Sequence, residues 1–355
     1  MYNFFLLEGN NGATYILNVQ NTDALITSLK FYKARTLKQK VMKIALMLYI
    51  KSLKILCKVA FCRLKSQKEI HAYLKKLTDL PIDFELDNNC SLLVSPTRDK
   101  IIVHHHASHF HKFAFGSSYS NVKNEANIYL LLDKSLQHVR VSRFYDHEDH
   151  QTYYCFKLGS QSTSKQREVD LVSGLVELFN VSKKERQRFG VYLQGLRDRC
   201  KQNALDDADV LSVLDTLVQR YASESFPLGL VHRDFKHWNT NTENGLLIYD
   251  FEEAITDGPP MEDLFNFIVD PIIAYLPAKD VIEKLLSESN KRAYEQYLEQ
   301  LCLDLDVQVL LSCYLVERAL FYSRLKDTQT RVKYINLLHY LRAISTQKNK
   351  KHKYK

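Results

Sequence analysis

The chain contains 355 residues, with 49 Lys and Arg against 41 Asp and Glu and a formal net charge of +8. This length is too great for one average core and predicts a two-lobed body with an N-terminal extension. The seven cysteines are odd in number and lack a C-x-x-C pair, which argues against a disulfide framework and indicates reduced thiols of the cytoplasm. The chain starts with a short apolar run that has no basic flank, so we expect a strand there rather than a secretory signal.

The N-terminal extension, predicted over residues 1–80, contains a basic segment. Between Ala24 and Lys68 there are twelve Lys and Arg and no Asp or Glu. A helical turn of about 100° per residue places six lysines in one arc and apolar side chains in the arc beside it. The lysines are Lys40, Lys43, Lys51, Lys54, Lys58 and Lys65, and the apolar residues are Val41, Ile44, Ala45, Leu48, Ile55, Leu56 and Val59. The longest uncharged apolar run, 44–50, is far shorter than the roughly 20 residues that a membrane span needs.

Two interpretations of this lysine stripe remain open. The helix either lies on anionic lipid or meets a lipid-linked anionic substrate, or it packs its apolar face on the protein body and leaves the lysines solvated. A basic tail over residues 346–355 adds charge that suits surface binding. Nucleic acid is not expected as a partner, because no recognised binding module accompanies the charge.

A region of predicted strands follows, over residues 81–158. Strands are predicted at 90–95, 100–105, 110–115 and 153–159, with a helix at 122–132 between the last two. The third strand carries Lys112 and the helix presents Glu125. Five histidines lie nearby, at 104, 105, 106, 109 and 111. No cysteine or carboxylate stands at ligand spacing beside them, so imidazoles that are solvated or contact an organic ligand are favoured over a metal site.

The remaining body, residues 159–345, is predicted to be mainly α-helical. Helical periodicity occurs at 169–178, 185–199, 206–221, 264–275, 278–286, 292–301, 307–325 and 328–344. A motif interrupts this pattern after the third of these helices. It reads His232-x-Asp234-x-x-x-x-Asn239, followed by a turn, the apolar run 246–249 and the triplet Asp250-Phe251-Glu252.

The motif supplies the groups that phosphoryl transfer from a Mg-nucleotide requires. Such a reaction needs a carboxylate that orients the attacking hydroxyl and takes its proton, and oxygen ligands for the metal that bridges the phosphates. Asp234 fits the first role, while Asn239 and Asp250 fit the second. A single Asp in such a loop is most often only a loop cap, but the full spacing is hard to obtain by chance.

The segment resembles the protein-kinase-like superfamily, and within it the branch of aminoglycoside phosphotransferases and choline kinases. Glu252 is the discriminating residue, because D-F-E is similar to the small-molecule branch and protein kinases have D-F-G. The run from Asp257 to the Asp263-Leu264 pair also resembles that branch. Lys236 departs from the aminoglycoside enzymes and matches the protein-kinase H-R-D-x-K pattern. More loosely, residues 29–41 resemble kinase-like proteins of bacterial lipopolysaccharide and capsule synthesis.

The resemblance implies a bilobal α+β fold with a small antiparallel-sheet N-lobe and a larger helical C-lobe. It implies ATP and Mg²⁺ as cofactors, with Lys112 on the α- and β-phosphates, Glu125 holding its ammonium group, and Lys236 on the γ-phosphate. One feature departs from the pattern, because no Gly-x-Gly occurs between Cys90 and Lys112. Backbone amides of a non-glycine turn, or Ser95 and Thr97, would have to cover the phosphates.

The first functional hypothesis is an ATP- and Mg-dependent phosphotransferase that acts on a sugar hydroxyl of a surface glycan, such as lipopolysaccharide or capsule, or of its precursor. The expected location is the cytoplasm, with peripheral contact on the inner face of the cytoplasmic membrane. A choline- or amino-alcohol-type kinase is the alternative among enzymes. A non-catalytic kinase-like module that binds a glycan or a protein is the alternative outside them.

Overall fold

In a computed structural model, two compact units make up the protein. The sheet unit comprises Met1–Asp133 and Ser142–Ser162, and the helical unit comprises Lys134–Val141 and Thr163–Lys355. The residues that the structure describes are 2–8, 13–20, 22–31, 41, 43–45, 47–49, 52, 64–78, 86, 90–95, 99–106, 108–132, 136–159, 170–203, 205, 207–241 and 246–353.

Strands and helices are numbered in chain order. The strands are β1 (Tyr2–Glu8), β2 (Thr14–Asn18), β3 (Leu64–Ser66), β4 (Cys90–Ser95), β5 (Lys100–His105), β6 (His109–Phe115), β7 (Val139–Val141), β8 (Phe144–Asp149), β9 (Tyr153–Gly159), β10 (Gln187–Arg188), β11 (Ser225–Phe226), β12 (Gly229–Val231), β13 (Thr240–Asn241), β14 (Leu246–Ile248) and β15 (Ile255–Gly258). The helices are α1 (Thr22–Phe31), α2 (Gln67–Thr78), α3 (Tyr119–Leu132), α4 (Leu171–Asn180), α5 (Phe189–Gln202), α6 (Ala208–Tyr221), α7 (Glu262–Val269), α8 (Ala278–Leu285), α9 (Glu288–Gln300), α10 (Val307–Arg324) and α11 (Thr328–Lys353).

The sheet unit contains an eight-stranded sheet with the order β3-β1-β2-β4-β5-β6-β9-β8. All of its neighbouring strands are antiparallel. Apolar side chains from the sheet face pack with Ile70 and Leu74 of α2, which stand four residues apart and so share one face of that helix. Helix α3, which follows β6 in the chain, packs on β6 and β9. The antiparallel sheet predicted for the N-lobe is therefore confirmed.

The predicted N-terminal extension is not separate from this sheet. Residues 1–80 belong to the same compact unit as β4 to β6, and β2 pairs directly with β4 through Thr14 and Val94. The physical reason is that β4 would otherwise present a row of unpaired backbone groups, which a further strand satisfies. The extension therefore contributes three strands to the sheet.

The lysine stripe is not one continuous helix. Lys65 lies in β3, where it pairs with Phe4 of β1, because backbone pairing with the sheet competes with the helix in this stretch. Lys43 lies in a helical stretch, while the other four lysines fall outside the described residues, as do Ile55, Leu56 and Val59. The described members of the predicted apolar face are all exposed: Val41, Ile44, Ala45 and Leu48.

The helical unit contains α4 to α11 and three short sheets, so the predicted α+β class with a mainly helical second part is confirmed. In one of these sheets β7 runs parallel to β14, with Val139 beside Leu246 and Val141 beside Ile248. At the other end of the unit, α11 continues through Lys353. The basic tail predicted at 346–355 is therefore helical up to that residue. The cysteines that the structure describes are all free.

Candidate active site

The motif residues lie on a loop between two short strands of the helical unit. β12 ends at Val231, the loop runs from His232 to Asn239, and β13 begins at Thr240. Arg233 has a φ of 63°, a left-handed conformation that a non-glycine residue adopts only when its surroundings impose it. The loop backbone is therefore held by specific contacts.

The contacts come from α7. One carboxylate oxygen of Asp263 accepts the His232 N–H at 2.7 Å, and the other accepts the Arg233 N–H at 2.9 Å. The Asn266 amide donates to the carbonyl of Phe235 at 3.3 Å. Burial raises the pKa of the Asp263 carboxyl to about 7, against the opposing effect of the two backbone donors. α7 thus holds the loop through hydrogen bonds to the loop main chain.

A second support comes from α10. Arg318 is fully buried and donates to the carbonyl of Arg233 at 2.8 Å. The Arg233 guanidinium in turn lies 3.3 Å from Glu262 and 3.8 Å from Glu317. Burial acts to lower the pKa of Arg233, but Glu262 and Glu317 outweigh it and the net pKa is raised. The sequence motif does not indicate the residues that anchor the loop, with the exception of Asp263. The anchoring residues that sequence reasoning missed are Glu262, Asn266, Glu317 and Arg318.

Asp234 stands at the centre of the loop with both oxygens in hydrogen bonds. The Asn239 side-chain amide donates to Asp234 Oδ2 at 2.8 Å and to the Asp234 carbonyl at 3.0 Å. On the other side, the Lys236 ammonium group lies 2.7 Å from Asp234 Oδ1. The structure therefore brings three of the predicted site residues together.

Asp250 follows β14, as the sequence predicts. It has a φ of 72°, another left-handed residue in this region. A carboxylate oxygen of Asp250 and one of Glu252 lie within 4.8 Å of each other. His232, the first residue of the motif, bridges the two halves of the site, because its Nε2 lies 3.1 Å from the carbonyl of Tyr249. The His232 Nδ1 accepts the Asp234 N–H at 3.2 Å, so Nε2 is the nitrogen that donates to Tyr249, and burial lowers the pKa of this ring.

The oxygen groups present fit a hard divalent cation. Mg²⁺ takes carboxylate and amide oxygens, and Asp250, Glu252 and Asn239 offer these. The amide of Asn239 has a determined orientation, because its nitrogen faces two Asp234 oxygens, and this leaves its own oxygen as an acceptor.

In the sheet unit, Lys112 and Glu125 form a buried ion pair. The Lys112 ammonium group lies 2.5 Å from Glu125 Oε2, and the side chains are 10% and 2% exposed. Lys112 sits in mid-sheet on β6, between Ile102 of β5 and Phe156 of β9. The pairing predicted between these two residues is therefore present in the structure.

The histidines of β5 and β6 are engaged in packing. His104 stacks on Phe110 with ring centroids 4.3 Å apart, and His105 stacks on His109 at the same distance. Burial lowers the pKa of His111 to about 3, so that ring stays neutral at physiological pH. The phosphate-covering turn proposed at Ser95 and Thr97 lies in part outside the described residues, which stop at Ser95 and resume at Asp99.

A family model described as "Phosphotransferase enzyme family" matches residues 108–280. No curated protein matches the chain.

Among solved structures, the GDP complex of wild-type aminoglycoside 2'-phosphotransferase-IIIa is similar with a TM-score of 0.46 and 14% identity, covering 79% of this chain and 100% of that one. A protein described as a fructosamine-3-kinase from Haemophilus somnus gives a TM-score of 0.41 and 14% identity, covering 71% of this chain and 87% of that one. A thermostable mutant of aminoglycoside phosphotransferase APH(4)-Ia gives a TM-score of 0.45 and 9% identity, covering 77% of this chain and 98% of that one.

The matched segment contains both the buried ion pair and the motif of the loop 232–239. Lys112 and Glu125 lie near its start, and Asp234, Asn239 and Asp250 lie in its second half. The similarity to lipopolysaccharide and capsule proteins finds no counterpart among these matches. Over residues 108–280 the chain is therefore similar to the phosphotransferase enzyme family, in a protein that has an antiparallel-sheet unit and a mainly helical unit.

Proposed function

We propose that this protein is an ATP- and Mg-dependent phosphotransferase that transfers the γ-phosphoryl group to a sugar hydroxyl, in a surface glycan or its precursor. The observation that carries the proposal is the loop geometry at Asp234. Its carboxylate is fixed between the Asn239 amide and the Lys236 ammonium group on a backbone that α7 holds rigid. A positioned carboxylate of this kind contributes by orientation and by accepting a proton.

The proposed step is a simple displacement. The acceptor oxygen forms a bond to the γ-phosphorus, the bond from phosphorus to the bridging oxygen breaks, and ADP leaves. The proton of the acceptor hydroxyl passes to Asp234. Bound Mg²⁺ would neutralise phosphate charge, and its ligands would be Asn239 and Asp250.

The nucleotide is assigned to Lys112 and Lys236. In the sheet unit, Glu125 holds the Lys112 ammonium group at 2.5 Å, which fixes a positive charge for the α- and β-phosphates. Lys236 is assigned to the γ-phosphate, where its charge compensates the transition state.

A choline- or amino-alcohol-type acceptor is the second candidate, and one observation favours it. Asp234 and Asp270 flank an ammonium group in this structure, that of Lys236, and the Trp238 ring centroid lies 5.2 Å from the same nitrogen. Two carboxylates and an indole face are the groups that bind a cation. If Lys236 moves to the phosphate, its place suits a positively charged acceptor.

We further propose that the protein is cytoplasmic and makes peripheral contact with an anionic membrane surface. Val41, Ile44 and Leu48 are 58%, 56% and 58% exposed, at the spacing of one helix face. Met47 of the same stretch packs against the apolar cluster of β1, β2 and α1. The interval 24–68 has no acidic residue, which suits anionic lipid headgroups. Within the described residues, none of the helices has the length and apolarity that crossing a bilayer requires.

The proposed function is tested by a transfer screen against sugars, glycan precursors and amino alcohols. Transfer adds about 80 mass units, one phosphoryl group, to the acceptor. Asp234→Asn should lower the rate on the order of 10²- to 10⁴-fold while stabilisation by MgATP in a thermal-shift assay persists. The exposed Asp257 provides the matched control, because Asp257→Asn should leave the rate unchanged. Equal turnover by Asp234→Asn would overturn the assignment of the base, and no stabilisation of the wild type at millimolar MgATP would favour the binding module.

A further inference from the structure

A carboxylate that the motif does not contain lies beside the proposed catalytic base. The Lys236 ammonium group is 3.1 Å from Asp270 Oδ1 as well as 2.7 Å from Asp234 Oδ1. The Asp270 side chain is 9% exposed and that of Lys236 is 13% exposed. The ammonium group therefore bridges two carboxylates, and Asp270 is the less exposed of them, at 9% against 25% for Asp234.

Asp270 is built into the element that holds the catalytic loop. It caps the C-terminus of α7, and its backbone N–H donates to the carbonyl of Asn266. Asp263, Asn266 and Asp270 follow one another at spacings of three and four, so they share one face of the helix. The same face thus anchors the loop backbone at its start and contacts a loop side chain at its end. Any shift of α7 would move the loop and Asp270 together.

The bridge affects what Asp234 can do. The Lys236 ammonium group occupies Asp234 Oδ1, the oxygen that the Asn239 amide leaves open. The other oxygen of Asp234 already accepts the Asn239 amide at 2.8 Å. For Asp234 to take the acceptor proton, the Lys236 ammonium group must move away from it. If Asp234 were the only carboxylate in contact with Lys236, this movement would leave the lysine charge without a counter-charge.

We propose that Asp270 is a positioning residue for Lys236: it gives the ammonium group a second carboxylate, so that Lys236 can shift from Asp234 to the transferred phosphoryl group without losing its charge. This inference rests on the proposed phosphotransfer function for its catalytic part. Burial acts to lower the pKa of Lys236, but Asp234 and Asp270 together outweigh it and hold the net pKa above its ordinary value.

The first test measures Lys236 itself and needs no turnover. Reductive methylation at pH 8 followed by peptide mass spectrometry gives the rate at each lysine, and only the neutral amine reacts. Asp270→Asn should raise the Lys236 rate about tenfold relative to wild type, because loss of one contacting carboxylate lowers the pKa of a lysine by about one unit. Asp270→Glu, which keeps the charge, should retain a rate close to that of the wild type.

A matched control comes from an exposed pair on α8. Lys279 lies 3.8 Å from Glu283 at the surface, so Glu283→Gln removes a carboxylate without touching the site. That variant should leave the Lys236 rate at its wild-type value. An unchanged Lys236 rate in Asp270→Asn, with circular dichroism showing a folded protein, would overturn the proposal.

The second test is a double-mutant cycle on phosphoryl transfer, with MgATP and the acceptor identified in the screen, or with water as the acceptor in MgATP hydrolysis. If Asp270 acts through Lys236, Asp270→Asn should lower kcat about tenfold in the wild type and have no further effect in a Lys236→Met background. An equal loss in both backgrounds would show that Asp270 acts independently of Lys236, and the proposal would be wrong. Absence of any wild-type turnover would instead refute the proposed function, and the methylation result would still decide whether Asp270 holds Lys236.

Discussion

Replacing Asp263 by asparagine should change both the stability of the helical unit and its dependence on pH. The Asp263 carboxylate is 6% exposed and accepts the backbone N–H groups of His232 and Arg233 at 2.7 and 2.9 Å. An asparagine has one oxygen where the carboxylate has two, so one of these N–H groups would face an amide nitrogen. A buried donor left without an acceptor costs about 1–3 kcal/mol.

The pH dependence follows from the raised pKa. Burial raises the pKa of Asp263 from 3.8 to about 7, so the folded protein holds this proton more tightly than the unfolded chain does. A raised pKa contributes stability that is fully present below about pH 4 and is lost as the pH rises through 7. At about 1.4 kcal/mol for each pKa unit, the loss is on the order of 4 kcal/mol. Asp263→Asn has no such proton, so its free energy of unfolding should change less over the same range.

The assay is urea unfolding at several pH values between 4 and 7.5, followed by tryptophan fluorescence. Trp238 is the only tryptophan of the chain and stands on the loop 232–239, so its emission reports on the unit that contains Asp263. Asp257→Asn, at an exposed position, should retain the wild-type pH dependence. If Asp263→Asn also retained it, the reasoning would be refuted, and another buried group would have to carry the proton.

Three further predictions concern other parts of the chain. Gly229→Ala should lower the free energy of unfolding in urea by about 1–3 kcal/mol, because the new Cβ would lie 2.8 Å from the Phe179 ring. Gly195→Ala is the control, since nothing lies within 4 Å of its new Cβ, and it should stabilise its helix by about 0.5–1 kcal/mol. Equal effects of the two substitutions would contradict the packing argument. Lys112→Met should destabilise the sheet unit by about 3–5 kcal/mol in urea unfolding followed by circular dichroism, because it removes the cation that lies 2.5 Å from the buried Glu125 carboxylate. Adding Glu125→Gln should recover part of the loss, and no recovery would show that charge is not the cause. Replacing the exposed apolar residues of the basic segment by serine should abolish co-sedimentation of the protein with phosphatidylglycerol vesicles. If the wild-type protein sedimented with phosphatidylcholine vesicles as well as it does with phosphatidylglycerol vesicles, an electrostatic contact would be contradicted. The residues to be replaced are Val41, Ile44 and Leu48.

The sequence predicted the elements whose pattern is local. Strands β4, β5 and β9 have the predicted bounds, and the helix that carries Glu125 begins three residues earlier than expected. Alternating apolar residues mark such strands, and a periodic apolar stripe marks such a helix. The spacing from Asp234 to Asn239 likewise indicated two side chains that the structure brings into contact.

Elements that depend on distant partners were missed. β7 is only three residues long, and its partner β14 lies about a hundred residues further along the chain. β8 is a polar edge strand with mostly exposed side chains, so it has no apolar alternation to reveal it. Asp270 was missed because its contact with Lys236 depends on the course of the chain between them. The lysine stripe was extended too far, because sheet pairing overrides helical periodicity at Lys65.

The parallel pairing of β7 with β14 has a consequence for the order in which the protein can fold on the ribosome. Residues up to 133 belong to the sheet unit, and the next segment, which contains β7, belongs to the helical unit. β8 and β9 belong to the sheet unit again, and the chain after residue 162 belongs to the helical unit. Lys112 therefore lacks one of its flanking strands until β9 has been synthesised, and β7 must wait for β14. A fragment that starts at residue 163 would lack β7. This strand pairs with β14, and β14 precedes Asp250 in the chain. Neither unit is a contiguous stretch of sequence, so we expect each to complete its sheet only after part of the other has been made.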